Sequence, residues 1–220
     1  PVVTAAAGAF DGVVYEGEGE LRPTGSASIS LSRRFVGKHA IGVRHSIEQV
    51  SEAELPDAVE SQLLAKDLPG ASLVSVQVLD RDELDKPLTL QMQAEVPDFA
   101  RRSQGGLTLS PPFSVTVGAL ATLPTRQTTM LIGEASRIEI RVRIKLPAGA
   151  KVVTPFAPVD LRDGDRMVVV KDRLEGDVLV LDRVVDLPAA RIRPEQYAAF
   201  LKFARAADEA TQRDIRIELK

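Results

Sequence analysis

Arg137-Ile138-Glu139-Ile140-Arg141-Val142-Arg143-Ile144-Lys145-Leu146 is the stretch that decides the fold. Aliphatic and charged residues alternate along it, the period of two expected of a strand with one face on a core and the other, mostly cationic, toward solvent. Pro147-Ala148-Gly149 terminates it. Downstream, Met167–Lys171 and Val178–Val185 read as a hairpin around Leu174-Glu175-Gly176-Asp177. Arg193-Pro194 then places proline at a first helical position, and Tyr197, Phe200, Leu201 and Ala204 recur at helical intervals, which predicts a helix near residues 194–211. Ile215, Ile217 and Leu219 follow as a strand with Arg216, Glu218 and Lys220 on its exposed face.

Upstream the same two periods recur. Val13, Tyr15 and Leu21, then Ala27, Ile29, Leu31 and Phe35, predict a hairpin closed by Arg22-Pro23-Thr24-Gly25. Ala40, Val43, Ile47 and Val50 have helical spacing. Ser51-Glu52-Ala53-Glu54 has the form of a capping box, but Pro56 would then interrupt the helix, so a second helix is predicted to start at Pro56 and to end at Pro69-Gly70. Leu73–Val78 and Leu88–Val96 predict two antiparallel strands of one sheet. Together these segments define an α+β fold, predominantly antiparallel β in sandwich-like sheets, with about three helices and a C-terminal strand. Asp98–Pro112 is the densest turn region. The chain therefore divides into an α+β subdomain over 1–117 and a β-rich subdomain over 118–220, or forms one continuous domain.

The 220 residues are enough to bury roughly 70 % of the unfolded chain's surface without a disulfide or structural metal. Cysteine is absent, which excludes a thiol nucleophile, a thiolate zinc site, an iron–sulfur cluster and every disulfide. A net charge of −3 argues against nucleic acid as a partner. No apolar run reaches the roughly 20 residues that span a bilayer. Pro1–Gly8 has neither an initiator methionine nor a signal pattern, so the chain is expected to start after processing or as an excised piece of something longer.

Chemistry-bearing patterns are few. His39 and His45 are six apart, the wrong spacing for a zinc helix. Asp160, Asp163 and Asp165 around Gly164 lack the ligand ladder of a calcium loop and read as an acidic turn. Nucleophile elbows and phosphate-cradling glycine loops are missing, and no cofactor is expected. Arg137, Arg141, Arg143 and Lys145 share a strand face and form the candidate binding site for an anionic partner. The plain alternative is a solvated face balanced by neighbouring Glu and Asp, or an edge strand guarded by charge. Tyr197, Phe200 and Phe203 read as core in preference to a ligand cage.

In the second half, Arg126 through Gly133, Leu146-Pro147-Ala148-Gly149, Arg191-Ile192-Arg193-Pro194-Glu195-Gln196-Tyr197-Ala198-Ala199-Phe200, Asp208 and Ile215–Leu219 follow in order. This order resembles the region after the catalytic core in bacterial transglutaminase-like proteins of uncharacterised function. Gly25-Ser26-Ala27 and Gly37-x-x-Ala40-x-x-x-Arg44 extend the likeness over most of the chain. The resemblance implies a Cys–His–Asp thiol apparatus in a separate upstream domain, and without cysteine none of that set carries over here. It further implies a non-catalytic accessory region that packs beside, or presents substrate to, a transglutaminase- or protease-like core of the same polypeptide or another protein. A periplasmic or cell-envelope location is favoured on the same basis. Arg191, Arg193 and Tyr197 would orient the last helix. An independent binding module for an anionic protein or polysaccharide, and a carboxylate-based hydrolase, are the alternatives.

Overall fold

Alternating apolar residues on either side of Pro23-Thr24-Gly25 fold into the expected hairpin, β1 (Gly12–Leu21) and β2 (Ala27–Val36). The protein is described here over residues 10–219 of a computed structural model. Pro1–Gly8, where a start after processing or as an excised piece was expected, lies outside the described residues. Gly25, at φ 95°, closes the hairpin turn by donating to the Arg22 carbonyl at 2.9 Å.

Helix α1 (Lys38–Glu48) buries Ala40, Arg44 and Ile47. The second helical body starts as expected beside Pro56. It comprises α2 (Leu55–Val59), a π-helical turn (Glu60–Leu64) and α3 (Ala65–Asp67), and Pro56 occupies its first turn. β3 (Ser72–Leu79) and β4 (Leu88–Val96) pair antiparallel, with a bulge between Leu73 and Ser75, and β4 pairs onward with β2. The 80–87 connection between them is organised from α1. Arg44, 4 % exposed, donates to the carbonyls of Asp80, Arg81, Glu83 and Lys86 at 2.8–3.0 Å.

The turn-rich region holds more structure than its composition announces. β5 (Arg101–Ser103) and β6 (Gly106–Leu109) form a short hairpin there, followed by a 3-10 turn (Val117–Leu120) and β7 (Met130–Ile132). β8 (Ser136–Lys145) contains the alternating stretch. After it come β9 (Lys151–Val152), β10 (Val159–Asp163), β11 (Arg166–Val170), β12 (Arg173–Glu175), β13 (Val178–Leu187) and β14 (Ala190–Ile192). Helix α4 (Pro194–Thr211) and β15 (Ile215–Glu218) complete the described chain, as expected.

Nine strands form the principal sheet in the order β10-β11-β13-β8-β1-β2-β4-β3, with β12 also on β13. Two features depart from the sequence reading. β8 is an interior strand, so its charges guard no edge, and its pairing with β1 is parallel within an otherwise antiparallel sheet. The parallel pair begins with a very close backbone approach. A Cβ on Gly12 would lie 1.9 Å from the Arg137 carbonyl oxygen, so only glycine fits there. Two smaller sheets, β5-β6-β15-β9 and β14-β7, flank the large one.

Two hydrophobic clusters lie against this framework. The first joins inward residues of both halves of the chain, among them Tyr15, Leu31, Leu90, Leu107, Ile144 and Ile217. The second gathers Val168, Val170, Val185 and Ile192 under Tyr197 and Phe200 of α4. β13 serves both, Leu179 and Leu181 facing the first and Val185 and Leu187 the second. Arg183 falls between those pairs on the same strand face by the period of two. It is 3 % exposed and binds Asp172 and the Thr211 carbonyl near the end of α4. Asp208 of α4 accepts from the amides of Val117 and Gly118 at 2.7 and 3.0 Å, tying the 3-10 turn to the helix.

Candidate functional site

The second face of the large sheet carries the residues singled out from sequence. Outward side chains stand in cross-strand register, because every second residue points the same way. Glu16, Glu18 and Glu20 of β1 lie opposite Arg141, Arg143 and Lys145 of β8. On their other side they meet Ser32, Ser30 and Ser28 of β2, beyond which stand Gln91, Gln93 and Glu95 of β4. Gln77 and Ser75 of β3 continue the rows of Gln91 and Gln93 to the sheet edge. The result is a broad polar surface with a carboxylate stripe, a cationic stripe and a neutral hydroxyl and amide field.

All four candidate cations lie on this face, and each has a carboxylate partner. Arg137 binds Glu139 at 2.8 Å and Asp186 at 3.3 Å. Arg141 bridges Glu139 at 2.6 Å and Glu16 at 3.1 Å. Arg143 binds Glu175 at 3.0 Å, and Lys145 is 3.8 Å from Glu20. Hydrogen bonds from Arg143 and Arg173 hold the Glu175 carboxyl below its usual range. The pairs differ in depth. The Glu139 side chain is 5 % exposed and depends on two guanidinium groups, whereas Arg143 and Glu175 are both about half in water. Arg141→Ala should therefore cost about 1–3 kcal/mol, since a buried carboxylate loses a charged donor. Arg143→Ala should stay within about 0.5 kcal/mol. Urea denaturation of both variants checks the contrast, and equal costs would refute it.

A second polar cluster lies on the core side, where Tyr15, Arg33 and Asp67 meet. The Asp67 carboxylate accepts from Arg33 at 2.6 Å and from the Tyr15 hydroxyl at 3.2 Å, while Tyr15 stacks on Phe113 at 4.6 Å between ring centres. Phe113 has a left-handed backbone, φ 58°, an uncommon and strained conformation for a bulky residue. Burial raises the Asp67 carboxyl above its ordinary range, against the pull of Arg33 and of the Tyr15 hydroxyl. Burial is also the largest influence lifting the Tyr15 hydroxyl.

An acid that holds its proton more tightly when folded favours the folded state below its unfolded pKa. That contribution is lost as pH rises through the folded value. Wild type should thus lose stability relative to Asp67→Asn as pH rises from below about 4 toward neutrality. Urea melts of both proteins across that range test this, and a pH-independent gap would remove Asp67 titration from the account.

Two recesses lie away from the open sheet face. The larger, about 750 Å³, lies between α4 and β10–β11 and is lined by Phe156, Leu161, Val170, Asp172, Asp208 and Glu209. Asp172 and Asp208 are already committed to Arg183 and to backbone amides. The smaller, about 300 Å³, has Asp67, Phe99 and Phe113 in its wall. Among the described residues no group of three or more His, Asp or Glu is placed to hold a metal ion. His39 is half-buried and His45 exposed on α1, and Asp160 and Asp163 pair with Arg162 and Arg166 about the β10–β11 turn. No helix among the described residues is long and apolar enough to cross a membrane. Tyr197 and Phe200 are buried in the second core, with the Tyr197 hydroxyl on the Leu123 carbonyl at 2.6 Å. Arg191 and Arg193 are exposed, and Arg193 pairs with Glu195.

This architecture defines a cysteine-free α+β protein, mostly antiparallel β, with one open polar sheet face. The chain belongs to a family described as a domain of unknown function with solved structure (DUF3858), whose model matches residues 107–217, half of the chain. Among solved structures, a candidate protease from Parabacteroides distasonis is similar at 14 % identity with a TM-score of 0.40. That match covers 44 % of this chain and 19 % of the other. No curated protein matches the chain.

Proposed function

We propose that this chain is a non-catalytic interaction region that packs beside, or presents substrate to, a transglutaminase-like thiol-enzyme core supplied elsewhere in its polypeptide or by a partner protein. The observation that carries this reading is the open sheet face, which is broad, polar and charge-compensated within itself. Interfaces between independently folded bodies are about as polar as the rest of a protein surface, and such a face suits one. The absence of cysteine requires that any thiol chemistry come from another domain. Capture of a free anionic protein or polysaccharide by Arg137, Arg141, Arg143 and Lys145 fits less well, because an incoming anion must displace a carboxylate already in place.

Intact-mass analysis and N-terminal sequencing of the protein from its native host, combined with chemical cross-linking, test the proposal. The expected species either extends into a cysteine-containing domain or cross-links to one through the open face. A species starting near Pro1 that recovers no such partner overturns it. Arg143→Glu with Lys145→Glu is the informative disruption of the face, since both side chains are exposed and the buried Glu139 keeps its own partners.

A further inference from the structure

Nine strands make the large sheet, and its two ends are built differently. At one end β10 carries Asp160, Arg162 and Asp163, charges of the kind that keep an edge from pairing with other chains. At the other end β3 reads Ser72-Leu73-Val74-Ser75-Val76-Gln77-Val78-Leu79, with no charge and no proline. Each of the other eight strands of that sheet contains at least one charged residue. The core-side residues Leu73, Val76 and Val78 of β3 pack on the first hydrophobic cluster but are only partly buried at this edge.

The free backbone groups can be located. On the outer side of β3 the Leu73 amide is taken by the Glu60 carboxylate at 2.6 Å. Alternation along an antiparallel ladder, carried through the bulge, then turns the amides and carbonyls of Val76 and Val78 outward. Gln77 between them is exposed on the polar sheet face.

We infer that β3 is a homotypic docking edge, on which β3 of a second copy pairs antiparallel about a two-fold axis at Gln77. In that arrangement Val76 faces the second copy's Val78 as a hydrogen-bonded pair, and Val78 faces its Val76, satisfying all the outward groups at once. Gln77 meets its own copy in the closer, non-hydrogen-bonded position. Charge selects this occupant. Across a two-fold axis a charged residue near the centre meets its own like charge, which destabilises a cross-strand pair. An uncharged strand therefore suits self-pairing, and β3 is the one strand of the sheet, among the described residues, that carries no charge. A contact of this size belongs with weak, transient interfaces, so association is expected in the micromolar range.

Sedimentation velocity over a concentration series should show reversible dimerisation. Gln77→Lys should weaken it about tenfold or more with an unchanged thermal melt, because the side chain is exposed in the monomer. The chain has no cysteine, so Gln77→Cys provides an independent readout. It should form a disulfide-linked dimer under mild oxidation, far faster than Ser30→Cys, which is exposed on the same face but away from the edge. A monomer at every concentration, a dimer indifferent to Gln77→Lys, or equal cross-linking at Ser30→Cys would each overturn the inference.

Discussion

Arg183→Met should destabilise the protein by about 3–5 kcal/mol, the cost of leaving one half of a buried ion pair without its counter-charge. Arg183 and Asp172 are 3 % and 9 % exposed, and the guanidinium also binds the Thr211 carbonyl in the last turn of α4. Its loss strands the Asp172 carboxylate and a helix-terminal acceptor together. The position compounds the effect, because Arg183 stands on β13 between the residues that serve the two hydrophobic clusters. Asp172→Leu combined with Arg183→Met should recover much of the loss, since an apolar pair of similar volume is often as stable as the ions it replaces. A double-mutant cycle in urea measures this coupling. A single-variant cost near that of a surface change, about 0.5 kcal/mol, would refute it.

Arg44→Met should cost about 3 kcal/mol and act on one place. Four main-chain carbonyls of the 80–87 connection converge on this guanidinium, and hydrogen bonds to a charged group are individually worth about 1.5–3 kcal/mol. Part of the loss is returned as the released carbonyls meet water. Hydrogen exchange should accelerate over residues 80–87 while β4 stays protected. Uniform acceleration across the sheet would show instead that Arg44 supports the whole fold.

Periodicity explains which parts of this architecture were readable in advance. β1, β2, β4, β8 and α4 each repeat their pattern over at least nine residues, enough to distinguish a period of two from one of 3.6. β5, β7, β9 and β14 are two or three residues long and have no period to detect. Faces were legible and neighbours were not. Alternation in β8 marks Arg141 and Arg143 as outward-facing, but says nothing of the β1 glutamates that flank them through a parallel pairing. Arg44 and Arg183 were hidden for another reason. An arginine is ordinarily read as exposed, and the partners that bury these two are a loop's carbonyls and an aspartate eleven residues away across a turn. The candidate site was thus legible as a row of cations, while its compensation was visible only once the strands were paired.

The parallel register of β1 with β8 also bears on how this chain folds. Glu16 and Arg141 are 125 residues apart, whereas the β1–β2 hairpin is local and closes by itself. Until β8 has been synthesised, that hairpin exposes the β1 edge and the apolar side chains of Val13 and Tyr15. Pairing over such a separation raises the contact order of the sheet, and long-range pairing of this kind slows folding. A nascent chain stalled before Ser136 therefore presents an unfinished sheet, the condition in which chaperones or neighbouring chains compete for its edge.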